Sequence, residues 1–188
     1  SEMCIRDRFT HLLSPIRIGP IEIRNRLVSS AHGTSFAHDY APTPQHVAYH
    51  SARAQGGIGL IIMEGARVHP SSRPIRASLV SWDEKAIPNY RKVADAIHRH
   101  GSKVFVQLLH QGKAVNTHDS NLPLWSASAT LGSALGSARK ELAHAMSKEE
   151  ILEVIAWFVQ GALNMKRAGM DGIEIHGAHG YLVQDFLS

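Results

Sequence analysis

The 188-residue sequence predicts an α/β fold: a (β/α)8 (TIM) barrel, of which the first four β/α units and an N-terminal hairpin are present. Three observations carry that expectation. Short apolar segments alternate with amphipathic helical ones, which implies right-handed βαβ units and a parallel sheet. No G-x-G-x-x-G turn follows the first strand, as a doubly wound dinucleotide-binding sheet would carry. Polar residues gather at the carboxyl ends of the expected strands, where barrels build their sites: Ser30 and His32, Glu64, Gln107 and His110, then His176. A doubly wound sheet is the other architecture that the alternation alone allows.

Each element has a local reason. "PIRIGPIEI" alternates apolar and polar residues around Gly19-Pro20, as a small hairpin does. "NRLVSSA" is a short strand running into small residues. Thr43 then caps a helix that carries Pro44 at its first position, where the missing N–H costs nothing, and Gly56-Gly57 stop it. "IGLIIMEG" (58–65) is continuously apolar, like a strand buried on both faces. "IPNYRKVADAIHRHG" gives a second helix, with Tyr90, Val93, Ala94 and Ile97 on one side and Gly101 at its end. "KVFVQLL" (103–109) is the next strand. A long Ser/Ala/Gly-rich loop is expected over 111–146. Ser147 and Glu150 form a capping box. The helix they open has a broad apolar face of Ile151, Leu152, Val154, Ile155, Phe158, Val159 and Ala162. Gly169 ends that helix, and "DGIEIH" is the fourth strand.

Composition narrows the class. With 44% hydrophobic and 19% charged residues the chain reads as ordinary globular protein. No run of about 20 apolar residues points to a membrane span, and no signal-peptide pattern opens the chain. The net charge of +4 is spread among acids without basic runs, which argues against nucleic-acid binding. The single cysteine, Cys4, excludes an internal disulfide and any Cys-built zinc or iron–sulfur site, and makes a reduced, cytoplasmic setting the default. A barrel needs about 250 residues and eight strands. The chain is therefore expected to be the N-terminal half of an enzyme.

The segment "DGIEIHGAHGYLVQDFLS" places His176, His179 and Tyr181 just past the fourth strand. His-x-x-His is also a metal-ligand spacing, and a metal-dependent barrel hydrolase using His176 and His179 is the alternative function; Gly177 and Gly180 and the want of a third ligand weigh against it.

These residues, with "VSSAHGTS", "IIMEGARV" and "VQLLHQGK", resemble the Old Yellow Enzyme family of FMN-dependent oxidoreductases, in its 2,4-dienoyl-CoA reductase-like and bacterial ene-reductase branches. The resemblance runs from about Phe9 to Ser188. "SEMCIRDR" stands outside it, so residues 1–8 are expected to be an extraneous tail and 9–188 the incomplete FMN-binding barrel. It implies noncovalent FMN across the barrel mouth, with NAD(P)H as reductant. Ser30, Ala31 and His32 would line the flavin edge, Gly65 would let backbone approach the ring, and Gln107 would pair with its pyrimidine. His176 and His179 would donate hydrogen bonds to the carbonyl of an α,β-unsaturated substrate. Tyr181 would protonate the α-carbon, since a phenol keeps its proton at neutral pH. The branch that dehydrogenates amines has tyrosine at the position of His176 and a flavin-linked cysteine near Ala31; both are absent, so reduction of activated C=C bonds is expected. An iron–sulfur cluster or FAD would belong to sequence beyond Ser188. The partner is a small unsaturated carbonyl compound, with neither nucleic acid nor membrane, in a chain that can form homo-oligomers. The fragment by itself is expected to be inactive. His110 and Lys113 are left outside the site.

Overall fold

The computed structural model describes residues 8–72, 77–115, 121–132 and 141–188. The expected tail at residues 1–8, with Cys4, lies outside them except for Arg8. After a short helix α1 (Thr10–Leu13), the hairpin pairs β1 (Ile16–Ile18) with β2 (Ile21–Ile23), antiparallel as expected, around Gly19 at φ +56°. A positive φ is costly for any residue with a Cβ, which is why glycine holds the turn.

The main sheet is parallel. Its spine is β3 (Val28–Ser29), β4 (Leu60–Arg67), β6 (Lys103–Leu109) and β10 (Gly172–Ile175), with β5 (Leu79–Val80) beside the end of β4. Each spine strand lies next to its successor along the chain. A doubly wound sheet reverses direction partway; this one does not, so it is an arc of a singly wound barrel. Helices α2 (Pro44–Gln55), α3 (Ile87–His98) and α4 (Lys148–Arg167) make the crossovers.

The two faces of the arc bury different residues. Ile61, Met63, Val104, Val106 and Leu108 pack with Tyr90, Val93, Ile97 and Met165 from the helices. Leu60 and Phe105 face the other way, against Ile23 of the hairpin, with Ile62 beside them. The hairpin thus plugs the amino-terminal end of the arc. Arg24 follows it and ties the crossovers down, donating to the carbonyls of Ala54, Ile58 and His100 and to Ser102 Oγ at 2.6–3.1 Å. The Ala54 and His100 carbonyls lie at the helix ends, where acceptors are left open. At the same end Asp171 accepts from His98 Nε2 at 2.7 Å, Lys103 Nζ at 3.0 Å and the Val104 amide at 2.9 Å.

The helix ends follow the sequence closely. Ser147 Oγ accepts from the Glu150 amide, and Glu150 accepts from the Ser147 amide at 2.8 Å. Gly169, at φ +87°, closes α4 with the paired bonds Gly169 N to Lys166 O and Met170 N to Met165 O, which satisfy two carbonyls of the last turn.

Three expectations need correction. The second strand begins two residues later than expected, at Leu60, the first residue in register with Val28 and Lys103; Gly59 before it has no room for a side chain beside Asn25. The loop over 111–146 is not structureless: β7 (Trp125–Ser126), β8 (Thr130–Leu131) and β9 (Leu142–Ala145) form a small sheet in order β7-β9-β8. The apolar face of α4 is also split. Val154 is buried and Phe158 half-buried, but Leu152, Ile155 and Val159 stay exposed; Ile155 and Val159 share a groove with Ile175 and Phe186. No helix among the described residues is long and apolar enough to cross a membrane.

Candidate functional site

The carboxyl ends of β4, β6 and β10 bring most of the expected residues together. β10 ends when the His176 amide bonds to Leu108 O at 2.9 Å, which leaves the His176 side chain buried at the strand end. The chain then turns sharply. His179 takes φ +61° and Gly180 φ +68° before helix α5 (Leu182–Leu187) begins. A non-glycine residue in that region costs of order 1 kcal/mol, and such strain concentrates at functional sites.

The turn folds His179 back onto His176. His179 Nδ1 and His176 Nε2 are 3.0 Å apart, and the ring centroids 4.9 Å. Tyr181 stands edge-on to both, 5.0 Å from His176 and 5.9 Å from His179. Burial lowers the pKa of His176, the neighbouring His179 lowers it further, and Glu174 opposes both. His176 is therefore a neutral imidazole at pH 7, suited to hydrogen-bonding an oxygen rather than to carrying charge.

Gln107 faces the barrel interior on β6, and its Nε2 donates to Glu174 Oε1 at 2.7 Å. Gly65 lies alongside, where β4 and β6 lose regular register between Met63 and Ala66. A Cβ on Gly65 would stand 2.2 Å from Leu109 Cδ2 and 3.3 Å from Gln107 Oε1. Glycine is thus needed there for Leu109 and Gln107 to keep their places.

The residues after β3 are fixed by a second cluster. Glu64 accepts from the Thr34 amide at 2.8 Å, from Thr34 Oγ1 at 2.5 Å and from His46 Nε2 at 2.7 Å. His46 Nδ1 accepts the Thr43 amide, so its Nε2 carries the proton given to Glu64. Burial alone would raise the Glu64 carboxyl, but the His46 and Thr34 bonds outweigh it and hold the pKa below its ordinary value. Glu64 is a clamp on the loop that contains Ser30, Ala31 and His32. Ser30 is exposed and Ala31 half-buried. His32 is exposed, bonded through Nδ1 to the Ser30 carbonyl and through Nε2 to the Tyr49 hydroxyl. Both of its ring nitrogens are occupied, whereas Gln107 keeps one N–H and its oxygen available.

Other polar residues turn out to be structural. His110, one of the strand-end residues, is fully buried, bonded to Ser71 Oγ and the Gly112 amide and stacked on Trp125. Burial, with His69 nearby, drops its pKa to about 3. Lys113 is paired with Asp185, which also accepts from Ser126 Oγ and the Ala127 amide. The sequence reading did not single out Glu174, which bonds Gln107, or Arg67, which feels the charge of Tyr181 and Glu64. Arg67, half-buried at the end of β4, donates from Nε to Gln111 Oε1 at 3.2 Å. The period-two pattern of β10 could have flagged Glu174, two residues before His176 and on the same strand.

For the hydrolase alternative, the two imidazoles bond each other, and among the described residues no group of three or more His, Cys, Asp or Glu is arranged to hold a metal.

The fold is part of a parallel barrel, and the expected site residues Gly65, Gln107 and His176 stand at the carboxyl ends of its strands. The chain belongs to the NADH:flavin oxidoreductase / NADH oxidase family, whose model matches residues 11–188. It is 37% identical over 183 residues to the NADH oxidase of Thermoanaerobacter brockii, covering 96% of this chain and 28% of that one. It is 35% identical over 179 residues to the NADPH dehydrogenase of Bacillus subtilis (strain 168), covering 94% and 51%. Among solved structures it is similar to the old yellow enzyme homologue from Zymomonas mobilis (TM-score 0.81, 26% identity, 91% of this chain and 49% of that one). It is similar also to histamine dehydrogenase from Rhizobium sp. 4-9 (TM-score 0.88, 30% identity, 97% and 28%). The chain thus spans about half or less of the length of these relatives. The arc of four strands is part of the barrel expected from the sequence.

Proposed function

We propose that this chain carries the substrate-activating half of an NAD(P)H-dependent, FMN-containing reductase of activated C=C bonds, acting on small α,β-unsaturated carbonyl compounds. The observation that carries the reading is the mutual bond between His176 and His179 beside the Tyr181 ring. In the hydrogen bond between the two rings, one nitrogen donates and the other accepts. A carbonyl oxygen entering between them replaces that bond with two N–H···O bonds, one from each ring, once His176 and His179 both present protonated nitrogens. Those donors hold the negative charge that develops on the oxygen as the double bond is reduced. Tyr181, edge-on to both rings, delivers the proton to the α-carbon.

The FMN-binding part rests on Gln107, Gly65 and the Ser30–Ala31–His32 loop. With one N–H of Gln107 given to Glu174, its oxygen and remaining N–H form a donor–acceptor pair suited to the alternating C=O and N–H of a flavin pyrimidine. Gly65 keeps side-chain bulk from that amide. Ser30 and Ala31 are small enough to lie under a flat ring, with His32 at its edge. FMN held there noncovalently would supply hydride chemistry, with NAD(P)H as the reductant that would restore it. Histamine dehydrogenase shares the fold, but reduction is favoured here because His176 is a hydrogen-bond donor where the amine-oxidising branch has tyrosine, and because no cysteine lies near Ala31.

The reading extends to a cytoplasmic enzyme, able to form homo-oligomers, that uses neither nucleic acid nor membrane. The 188 residues alone are expected to bind FMN weakly and not to turn over: among the described residues β3 and β10 are the outermost strands of the sheet, and Ile155 and Val159 of α4 are exposed beside Ile175 and Phe186. The test is anaerobic assay of the full-length protein with FMN, NADPH and a cyclic enone. Reduction of the enone, slowed roughly 10²–10³-fold in His176→Ala, is the expected result; an FMN-loaded protein that leaves every enone untouched contradicts the reading.

A further inference from the structure

The register of β10 against β6 sets Glu174 beside Gln107 and Gly172 beside Phe105, so all four share the barrel-facing side of the sheet. An ionised carboxylate only accepts hydrogen bonds. The 2.7 Å contact between Gln107 Nε2 and Glu174 Oε1 therefore fixes which way round the amide sits. Its nitrogen points to β10, and its oxygen lies on the side of Gly65 on β4. If the amide were reversed, two oxygens would face each other at that distance. Gln107 cannot turn over while Glu174 is ionised.

Glu174 is also two residues from His176, and its charge opposes the burial that lowers the His176 pKa. It is half-buried, where a charge is less screened than in open water. One carboxylate thus touches the cofactor-facing amide and acts electrostatically on the substrate-facing imidazole.

We propose that Glu174 is a positioning residue for the flavin: it locks Gln107 in the one amide orientation that matches the ring's pyrimidine edge, and its negative charge makes the bound ring harder to reduce. The inference rests on the FMN reading given under Proposed function. It adds a residue that sets both affinity and redox potential without itself touching substrate.

Two variants separate geometry from charge. Glu174→Gln keeps an acceptor oxygen for Gln107 and removes the charge; Glu174→Ala removes both. In the full-length protein, FMN affinity is read by quenching of flavin fluorescence on titration, and midpoint potential by equilibration against a reference dye. Glu174→Gln binds FMN as the parent does but is reduced at a higher potential. Glu174→Ala binds FMN about tenfold more weakly, the loss expected for one hydrogen bond to a charged group, and is also reduced at a higher potential. A purely structural residue would leave the potential of bound FMN unchanged and would not be rescued by glutamine. Parental affinity and potential in both variants overturn the inference, as does equal loss of affinity in both with no change of potential. A parent protein that takes up no FMN overturns the flavin reading and this inference with it, whereas unchanged variants of an FMN-binding parent overturn this inference alone.

Discussion

Gly172→Ala tests the packing that aligns β10. Gly172 sits opposite Phe105 in the β6–β10 register, and a Cβ there would lie 2.6, 2.7 and 2.9 Å from Cε1, Cζ and Cδ1 of that ring. Carbon atoms in contact prefer about 3.5–4.0 Å, so the methyl must be relieved by roughly 1 Å at three atoms of one rigid edge. Phe105 is itself confined by Ile23 and Leu60. The ring therefore cannot swing clear, and β10 has to shift. Overpacking of this kind costs roughly 2 kcal/mol, which lowers the urea midpoint by about 1 M. Urea unfolding followed by circular dichroism reads the change. Adding Phe105→Leu, which removes the ring edge, restores most of the loss caused by Gly172→Ala. If Gly172→Ala is as stable as the parent, or Phe105→Leu adds its own cost without compensation, the register between β6 and β10 is wrong. The placement of Glu174 beside Gln107 would then fall with it.

Other perturbations follow from the same contacts. Asp171→Asn weakens bonds to His98, Lys103 and the Val104 amide and costs roughly 2 kcal/mol at pH 7. Burial alone would raise the Asp171 carboxyl, but those bonds outweigh it and lower its pKa. Its contribution is therefore present above the ordinary carboxyl pKa of about 3.9 and is lost as pH falls through the depressed value. The gap in urea midpoint between Asp171→Asn and the parent should accordingly close in acid. Arg24→Ala frees acceptors at the ends of two crossovers and lowers stability by about 1–2 kcal/mol, with the earliest hydrogen exchange at residues 54–58 and 100–102. Tyr181→Phe keeps the ring and removes the proton donor, so turnover falls by about 10²–10⁴-fold while NADPH still reduces the bound flavin at the parental rate; a single-turnover measurement of the two half-reactions separates these.

Elements with local signals were legible in the sequence. Thr43-Pro44, Ser147 with Glu150, and Gly169 each mark a helix boundary through bonds made within a few residues, and the helices begin and end there. The strand Lys103–Leu109 was readable because helix stop and polar strand end bracket it closely. A continuous apolar run carries no phase, so nothing within 58–65 marks Leu60 as the start of β4; that depends on its pairing with Val28 and Lys103. The sheet of β7, β8 and β9 depends on pairing across a long stretch of chain, for which Ser- and Ala-rich sequence gives no hint. The trio His176, His179 and Tyr181 was readable by type and spacing. Alternation along β10 marks Glu174 as sharing the side of His176, but its partner is not legible, because Gln107 lies 67 residues earlier and only strand register joins them. His110, left outside the site from the sequence, does end a strand and turns into a buried cluster with Ser71 and Trp125.

The central claim is that His176 and His179 activate a carbonyl oxygen that neither residue can hold as well alone. The direct measurement is the rate at which an enone reoxidises the pre-reduced, FMN-loaded full-length protein under anaerobic conditions, compared between parent, His176→Ala and His179→Ala. Each variant is expected to lose roughly 10²–10³-fold in that rate, the effect of deleting one donor to a developing oxyanion, with reduction by NADPH unimpaired. Parental reoxidation rates in both variants would contradict the account.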